Sequence, residues 1–376
     1  RLKDDVEEIS NIRLGYTGRF VDDSFKATEY NLTVEHASDF PSLDGFLLDD
    51  YYNRDNLSSG WFKIQKNVDK YTVTKNIHSA YAEATYQFTS RWIVNLGLKY
   101  DYVDINVDYN VNRGGSEGSN TIRKDYFLPS LNLKYNLNEK HSLRLGASKT
   151  YTLPQAKEIS PYRYVGVNFN SQGNPNLKPS DNYNFDLKWD FNPSPTELVS
   201  LTAFYKHIKD PISRIEVASA GGYLSYENIS DRAIVAGVEV EIRKNLFVRP
   251  LSSAANGMNK LSFGLNGSYI YTNAKMPLAT VTTGSQLEGA APWIANFDLS
   301  HHFTRDERSF VNTLVLNYVS DKIYTIGTQG YQDIMERGLV TLDFVSQARL
   351  NKYLSLNLKA RNLLNPSHKL SRKANE

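Results

Sequence analysis

Along most of the chain an apolar side chain recurs at every second residue. Over residues 182–191, Tyr183, Phe185, Leu187, Trp189 and Phe191 take one face, and Asn182, Asn184, Asp186, Lys188 and Asp190 take the other. A period of two belongs to a strand, because a helix turning every 3.6 residues would scatter these side chains around its circumference. The same division recurs over residues 92–102, 131–137, 261–271, 340–350 and 354–361, and the whole chain holds about thirteen such segments. Composition agrees with this reading: 25 tyrosines exceed 17 phenylalanines, and methionine is scarce at 3.

The connections carry a second pattern. Short turns are expected near 89–91, 138–140, 193–195, 305–307 and 351–352, and long Gly/Ser/Asn-rich loops at 109–121, 154–178, 213–230, 274–291 and 327–337. Alternation of short and long ends is the habit of an up-and-down transmembrane β-barrel, with turns on one side of the bilayer and loops on the other. Ten residues rising about 3.3 Å each and tilted about 45° span roughly 23 Å, enough for an outer-membrane hydrocarbon band. The connection at 247–259 reads as long where a short one is expected, and the first loop, about 24–70, is long enough to fold on itself. Trp61, Trp92, Tyr151, Trp189, Trp293 and Tyr318, near segment ends, fit aromatic girdles at the lipid–water boundaries.

Charge and chemistry mostly exclude. With 43 basic and 41 acidic residues the net charge is +2, and no basic, aromatic-interleaved patch suggests a nucleic-acid partner. The absence of cysteine removes disulfides, thiolate metal sites and thiol nucleophiles. No apolar run approaches the roughly 18 residues of a membrane helix. The chain opens at Arg1 with a charged segment and no signal-peptide core, so its start is expected to be missing or processed. The string Gly114-Gly115-Ser116-Glu117-Gly118 matches a nucleophile elbow by letter, yet it lies in a polar loop rather than a strand-to-helix turn. His301 and His302 are neighbours on a strand and point to opposite faces, which disfavours a shared metal. No catalytic residue, metal site or cofactor is assigned.

Strand parity places Glu83, Asp186, Lys188, Glu239, Glu241, Arg243, Asp343 and Arg349 on the polar face, as candidates to line the lumen or to touch a plug. Tyr164, Asn168, Asn170, Tyr223 and Tyr226 lie in long loops and offer a hydrogen-bonding, amphipathic surface for a polar ligand.

Specific strings then resemble a known family. The block Gly173-Asn174-Pro175-Asn176-Leu177-Lys178-Pro179-Ser180, with the alternating strand and hairpin after it, is similar to the G-N-P-x-L-K-P segment of TonB-dependent outer-membrane receptors. Ala360-Arg361-Asn362-Leu363-Leu364-Asn365-Pro366 resembles that family's N-L-(F/L)-N signature, and Tyr151-Thr152-Leu153-Pro154 and Ala291-Pro292-Trp293 match strand-end motifs. The resemblance implies an all-β fold, a transmembrane antiparallel up-and-down barrel of twenty-two strands around an N-terminal plug. About thirteen strands here would be the later part of that barrel. The plug, its coupling box, the early strands and the last strand are expected to be missing, so residues 1–376 form one partial barrel domain.

An open sheet would leave unpaired edges in lipid, so part of a larger receptor or one piece of an assembly is expected. The implied function is import of a scarce nutrient across the outer membrane of a Gram-negative bacterium. The implied partners are outer-membrane lipid, the chain's own plug, the TonB complex, an unknown nutrient and, as a further candidate, a surface lipoprotein. The rival readings are a passive pore or structural barrel subunit, and a barrel-embedded hydrolase in which Ser116→Ala would abolish activity.

Overall fold

A computed structural model of the chain describes residues 10–34, 52–112, 117–219, 222–251, 257–274, 276 and 286–372. Its frame is a thirteen-stranded sheet whose members follow one another in chain order. They are β1 (Asn11–Val34), β2 (Phe62–Gln87), β3 (Trp92–Asn110), β4 (Glu117–Asn136), β5 (His141–Thr152), β8 (Ser180–Phe191), β9 (Leu198–Lys209), β12 (Arg232–Pro250), β13 (Gly257–Ala274), β14 (Trp293–Arg305), β15 (Arg308–Val319), β18 (Leu339–Arg349) and β19 (Ser355–Ala360). Every neighbouring pair is antiparallel. The strands with intermediate numbers belong to the loops: β6 (Arg163–Tyr164), β7 (Asn170–Gln172), β10 (Ile212–Val217) and β11 (Tyr223–Asn228) make one small sheet, and β16 (Lys322–Thr325), β17 (Ile334–Glu336) and β20 (Leu370–Arg372) another. Two short helices, α1 (Arg54–Ser58) and α2 (Ala156–Ile159), also lie in loops. Short and long connections alternate broadly as the sequence predicts, but the expected first loop at about 24–70 is paired strand at both ends, β1 running to Val34 and β2 starting at Phe62.

Register fixes which side chains share a face. Tyr183, Phe185 and Leu187 of β8 are exposed and lie level with Lys149, Ala147 and Leu145 of β5 and with His207, Tyr205 and Ala203 of β9. Exposed Leu201, Val238, Val240, Leu265, Tyr269, Phe297, Leu316, Leu356 and Leu358 continue that apolar face around the sheet. In a soluble protein such a surface would aggregate; facing hydrocarbon it is the expected exterior.

Strand length shows how far the wall rises above the bilayer. β8 and β9 have 12 residues each, whereas β1 has 24 and β2 has 26. At about 3.3 Å per residue and about 45° tilt, the extra residues lift β1 and β2 roughly 30 Å beyond the lipid band.

There the polarity of the two faces reverses. On the membrane-level part of β3, Leu96 and Leu98 face out, and Asn95, Lys99 and Asp101 face in. Farther along the same strand the inward positions are Val103, Ile105 and Val107, each at most 1% exposed, and the outward ones are Asp104, Asn106 and Asp108. Outside is now water, and inside is a dry core. Val103, Ile105 and Val107 pack with Tyr71, Val73 and Ile77 of β2 beneath Ile159, Leu177, Tyr162 and Tyr164, all supplied by the loop between β5 and β8. That loop folds inward as a lid on the wall.

Several expectations need correction. Tyr151 is no girdle residue: β4 pairs with β5 only up to Ser130, and above it Tyr151 stacks on buried Tyr126 at 3.9 Å and donates to Asp101 Oδ2 at 2.7 Å. Trp61 precedes the far end of β2, well above the bilayer. Trp92, Trp293 and Tyr318 do face outward at strand ends. The supposed long connection at 247–259 is largely paired strand, running to Pro250↔Met258 past a register shift between Asn245 and Phe247. Strand also consumes most of 109–121, with Asn110 opposite Glu117. Ser116 lies outside the described residues; Glu117 and Gly118 of the same string open β4.

A charge placed on the lipid face should be costly and one on the inward face cheap. Leu187→Arg is expected to lower barrel stability by about 2–4 kcal/mol in urea unfolding from vesicles, and Asp186→Arg by far less. For the core above the membrane, Ile105→Ala is expected to cost about 2–5 kcal/mol locally. The measurement is faster amide exchange in residues 153–178 with the membrane-level strands unchanged.

Candidate ligand site at the loop-bearing end

The block at 173–180 is a clasp between loops. A Cβ on Gly173 would collide with the carbonyl oxygens of Lys157, Glu158 and Ser160, so only glycine permits this close passage past α2. Asn174 then spends its side chain in two directions: Nδ2 donates to the Tyr226 carbonyl at 2.9 Å, and Oδ1 accepts from the Asn176 amide at 3.0 Å. Leu177 is buried in the core described above. The Lys178 amide donates to Asn228 Oδ1 at 2.9 Å, and Ser180 Oγ donates to the Asp210 carbonyl at 2.8 Å. The loop between β5 and β8 is thereby tied to the one between β9 and β12.

Arg214, on β10, joins the remaining loops. Its guanidinium pairs with Glu288 at 3.0 Å, donates to the Tyr324 carbonyl at 2.6 Å and lies over the Tyr324 ring at 4.0 Å. Its amide donates to Glu288 Oε2 at 2.7 Å, and its carbonyl accepts from the Ile326 amide at 3.1 Å. One residue thus bridges the β9–β12, β13–β14 and β15–β18 loops. Beneath it Ile215, Ile229, Leu287, Ile323 and Ile326 form a second buried cluster. Glu216 and Arg372 add an ion pair at the outer edge.

Beside Arg214 lies a cavity of about 370 Å³ lined by Lys157, Tyr164, Val165, Gly166, Asn168, Phe169, Ser171, Arg214, Leu224, Tyr226 and Tyr324. Lys157 Nζ sits 4.6 Å over the Tyr164 ring, and the Tyr164 hydroxyl is 2.6 Å from that of Tyr71. The cavity therefore offers aromatic faces, hydroxyls and two cations, a set that can grip a polar, anionic or aromatic ligand through cation–π contacts and charge-assisted hydrogen bonds.

Among the predicted loop residues, Tyr164, Asn168 and Tyr226 come together on this cavity. Asn170 and Tyr223 are register partners on the same small sheet but do not line it; Tyr223 instead lies under Arg163 at 5.4 Å. Sequence reasoning missed Arg214, Lys157 and Tyr324. The available signal was the short run Ile212–Val217 inside a supposed loop, where Ile215 and Val217 alternate with the charged Arg214 and Glu216 and mark a strand of a second sheet.

The candidate wall residues Glu83, Asp186, Lys188, Glu239, Glu241, Arg243, Asp343 and Arg349 all fall on the inward face by register. Asp186, Lys188 and Glu239 share a concavity of about 720 Å³ with Asn95, Asn132 and Arg144. Glu83 accepts from Asn95 at 2.6 Å, and Glu241 pairs with Arg243 at 2.8 Å. Asp343 is engaged locally, its Oδ1 accepting the Asn362 amide at 2.7 Å. Arg349 stands apart, at the short-turn end.

Burial pushes the Glu288 carboxyl above the usual carboxylate range despite the opposing pull of Arg214. Burial likewise raises Glu158, Tyr164 and Tyr226. A carboxyl whose folded value exceeds its unfolded one stabilises below the unfolded value, and that contribution is lost as pH rises through the folded value. Amides of β10 should therefore have a larger opening free energy at mildly acidic pH than at alkaline pH in hydrogen exchange, and Glu288→Gln should flatten the dependence.

Comparison with known proteins agrees with this architecture. Over 228 residues the chain is 25% identical to the iron-regulated outer membrane virulence protein of Vibrio cholerae, covering 58% of this chain and 32% of that protein. Among solved structures, the siderophore receptor PiuA of Acinetobacter baumannii superposes with a TM-score of 0.58 at 12% identity, over 98% of this chain and 52% of that one. The ferric yersiniabactin uptake receptor FyuA of Yersinia pestis gives 0.56 at 14%, over 95% and 51%. The chain thus spans about half the length of these receptors, and at such identities the likeness is one of fold. The family model for the TonB dependent receptor-like β-barrel matches residues 5–363, and the chain belongs to that family, in the outer membrane of a Gram-negative bacterium.

Proposed function

We propose that the protein is the receptor wall of an importer: it captures a scarce nutrient under its outer loops and releases it inward when the TonB complex, driven by the inner-membrane proton gradient, displaces a plug. The observation that carries this reading is the Arg214-centred cavity, where separate loops converge on Lys157, Tyr164, Tyr226 and Tyr324. The inward acids and bases, Asp186, Lys188, Glu239, Glu241 and Arg243 foremost, would hold the plug or line the path. A ferric chelate is the cargo class that suits both the cavity and the relatives: anionic or aromatic donor groups match its cations and rings, and the similar proteins bear siderophore-receptor or iron-regulated names. No bond of the cargo need be made or broken.

The test is growth of a deletion strain on single ferric chelates as iron source, with uptake of the labelled chelate followed with and without a proton-gradient uncoupler. Complementation is expected to restore uncoupler-sensitive uptake. Arg214→Ala is expected to weaken chelate binding by roughly ten- to a hundredfold, the worth of a charge-assisted contact of about 1.5–3 kcal/mol. Uptake indifferent to the uncoupler would assign the protein to the passive pores instead.

A further inference from the structure

The short turns enclose a hollow of their own. A cavity of about 970 Å³ lies between the β2–β3 and β4–β5 turns, lined among others by Arg91, Lys134, Asn136, Asn138, Glu139 and Lys140. In an outer-membrane barrel the short turns face the periplasm. Register puts Lys134 and Asn136 on the inward face, level with Arg144 and Ser142 of β5. Trp92 and Tyr135 take the outward face, their ring centroids 4.3 Å apart. The cavity therefore belongs to the lumen side of the wall, at its inner mouth.

Its charge is unbalanced. Arg91, Lys134 and Lys140 share it with a single acid, Glu139. His141, also on its edge, turns its ring onto Phe191 at 4.4 Å, on the outward face. Among the described residues none of the side chains of Arg91, Lys134 and Lys140 has an ionic partner. Higher on the same wall the bases are spent: Arg144 and Lys188, level with Lys134, reach Asp190 at 3.5 and 3.4 Å, and Asp186 and Glu239 line the concavity they share. Lys134 lines both hollows, so the wall passes from a balanced middle to a positive mouth.

The cations stand on turns that are tied together. Asn136 Nδ2 donates to the Ser90 carbonyl at 3.3 Å, and the Asn136 amide donates to the Arg91 carbonyl at 2.8 Å. Asn138 Oδ1 accepts from the Lys140 and His141 amides at 2.9 Å each, which fixes the root of Lys140. A site held ready in this way loses less entropy when it is filled. Its volume lies at the upper end of small-molecule sites, about 300–1,000 Å³, and far exceeds that of one inorganic anion. A cargo drawn to Lys157 and Arg214 by its negative charge meets the same attraction at the far end of the lumen. Passage needs stations that attract and yet release, and cations that salt can screen do both.

We propose that this cavity is an exit station for anionic cargo: a negatively charged ferric chelate leaving the lumen rests on Arg91, Lys134 and Lys140 before it enters the periplasm. The inference rests on the import reading above and adds to it a second, weaker site and the sign of charge that site selects.

Binding is measured first, on the whole chain in nanodiscs, by equilibrium dialysis against radio-iron chelates. The probes are a trianionic ferric tris-catecholate, a neutral ferric trihydroxamate, and millimolar inorganic phosphate as competitor. The trianionic chelate is expected to fill a second site at least about tenfold weaker than the loop cavity, one that fades as salt rises from about 0.05 to about 0.3 M and that phosphate does not empty. The neutral chelate is expected to show no second site. Arg214→Ala should weaken the first site and spare the second, and the triple variant Arg91→Gln, Lys134→Gln, Lys140→Gln should do the reverse. An equal removal of charge at other short turns, Arg305→Gln, Arg308→Gln, Lys352→Gln, should change neither. In complemented cells the first triple variant should lower the maximal rate of uncoupler-sensitive uptake of the trianionic chelate severalfold, with its half-saturating concentration unchanged.

If that variant fails to fold, as judged by loss of heat-modifiable migration, Lys134→Gln alone should weaken the second site in the same direction by less. Absence of a second site, or one that survives the triple variant, would overturn the station whatever the cells do. So would displacement by millimolar inorganic phosphate, which would make the cavity a general anion sink. Passive entry of a large antibiotic in cells carrying the triple variant would give the cations to plug retention instead, and would also overturn it. An intact second site beside uptake that ignores the uncoupler would remove the TonB-driven reading and keep the anion station, now in a passive pore.

Discussion

The structure depends on one constraint: a single layer of strands must satisfy a different solvent on each side at every height. A strand projects its side chains alternately to the two faces, so one sequence can answer two environments only by keeping strict parity. At membrane level the answer is apolar outside and polar inside, as in the opposition of Leu187 to Asp186 and Lys188. Above the lipid the environments exchange. Water bathes Asp104 and Asp108 on the outside, while the lid dries the inside against Val103, Ile105 and Val107. Parity is conserved along β3 and only the residue classes swap.

That exchange explains why the loop between β5 and β8 packs down on the wall. A loop that only solvated the rim would have no apolar surface to bury, yet Ile159, Leu177, Tyr162 and Tyr164 find one waiting on β2 and β3. The strings that resemble the family's then become legible as backbone requirements. Gly173 is there because carbonyl oxygens press on the space a side chain would fill. Asn362 and Asn365 adopt φ of 54° and 44°, the left-handed region that asparagine enters more readily than most side chains, and so turn the chain after β19. Asp343 holds the Asn362 amide in that turn.

The junction at Arg214 has two consequences. It makes the outer loops a connected cap, since the same guanidinium touches Glu288 and Tyr324 from different connections. It also places a cation, part of whose charge is spent on Glu288, at the edge of the cavity that Lys157, Tyr164 and Tyr226 complete. A ligand that competes for Arg214 would therefore disturb the joints between loops as well as fill a space. On the proposed reading, binding and loop arrangement would share one set of contacts.

Much was legible before any coordinates. The period of two gave the strands and the exterior face, because hydrocarbon tolerates few exceptions and leaves a clean alternation in the letters. Parity alone placed Glu83, Asp186, Glu239 and the other wall candidates on one face, since antiparallel pairing carries a face unchanged from strand to strand. The tertiary structure decided what parity cannot encode. Which loops meet, that Tyr151 turns inward to Tyr126 and Asp101, and that Arg214, Lys157 and Tyr324 surround one cavity are all facts of contact between segments distant in sequence. The physical reason is that alternation records only the solvent each residue faces, whereas a binding site records which residues face each other.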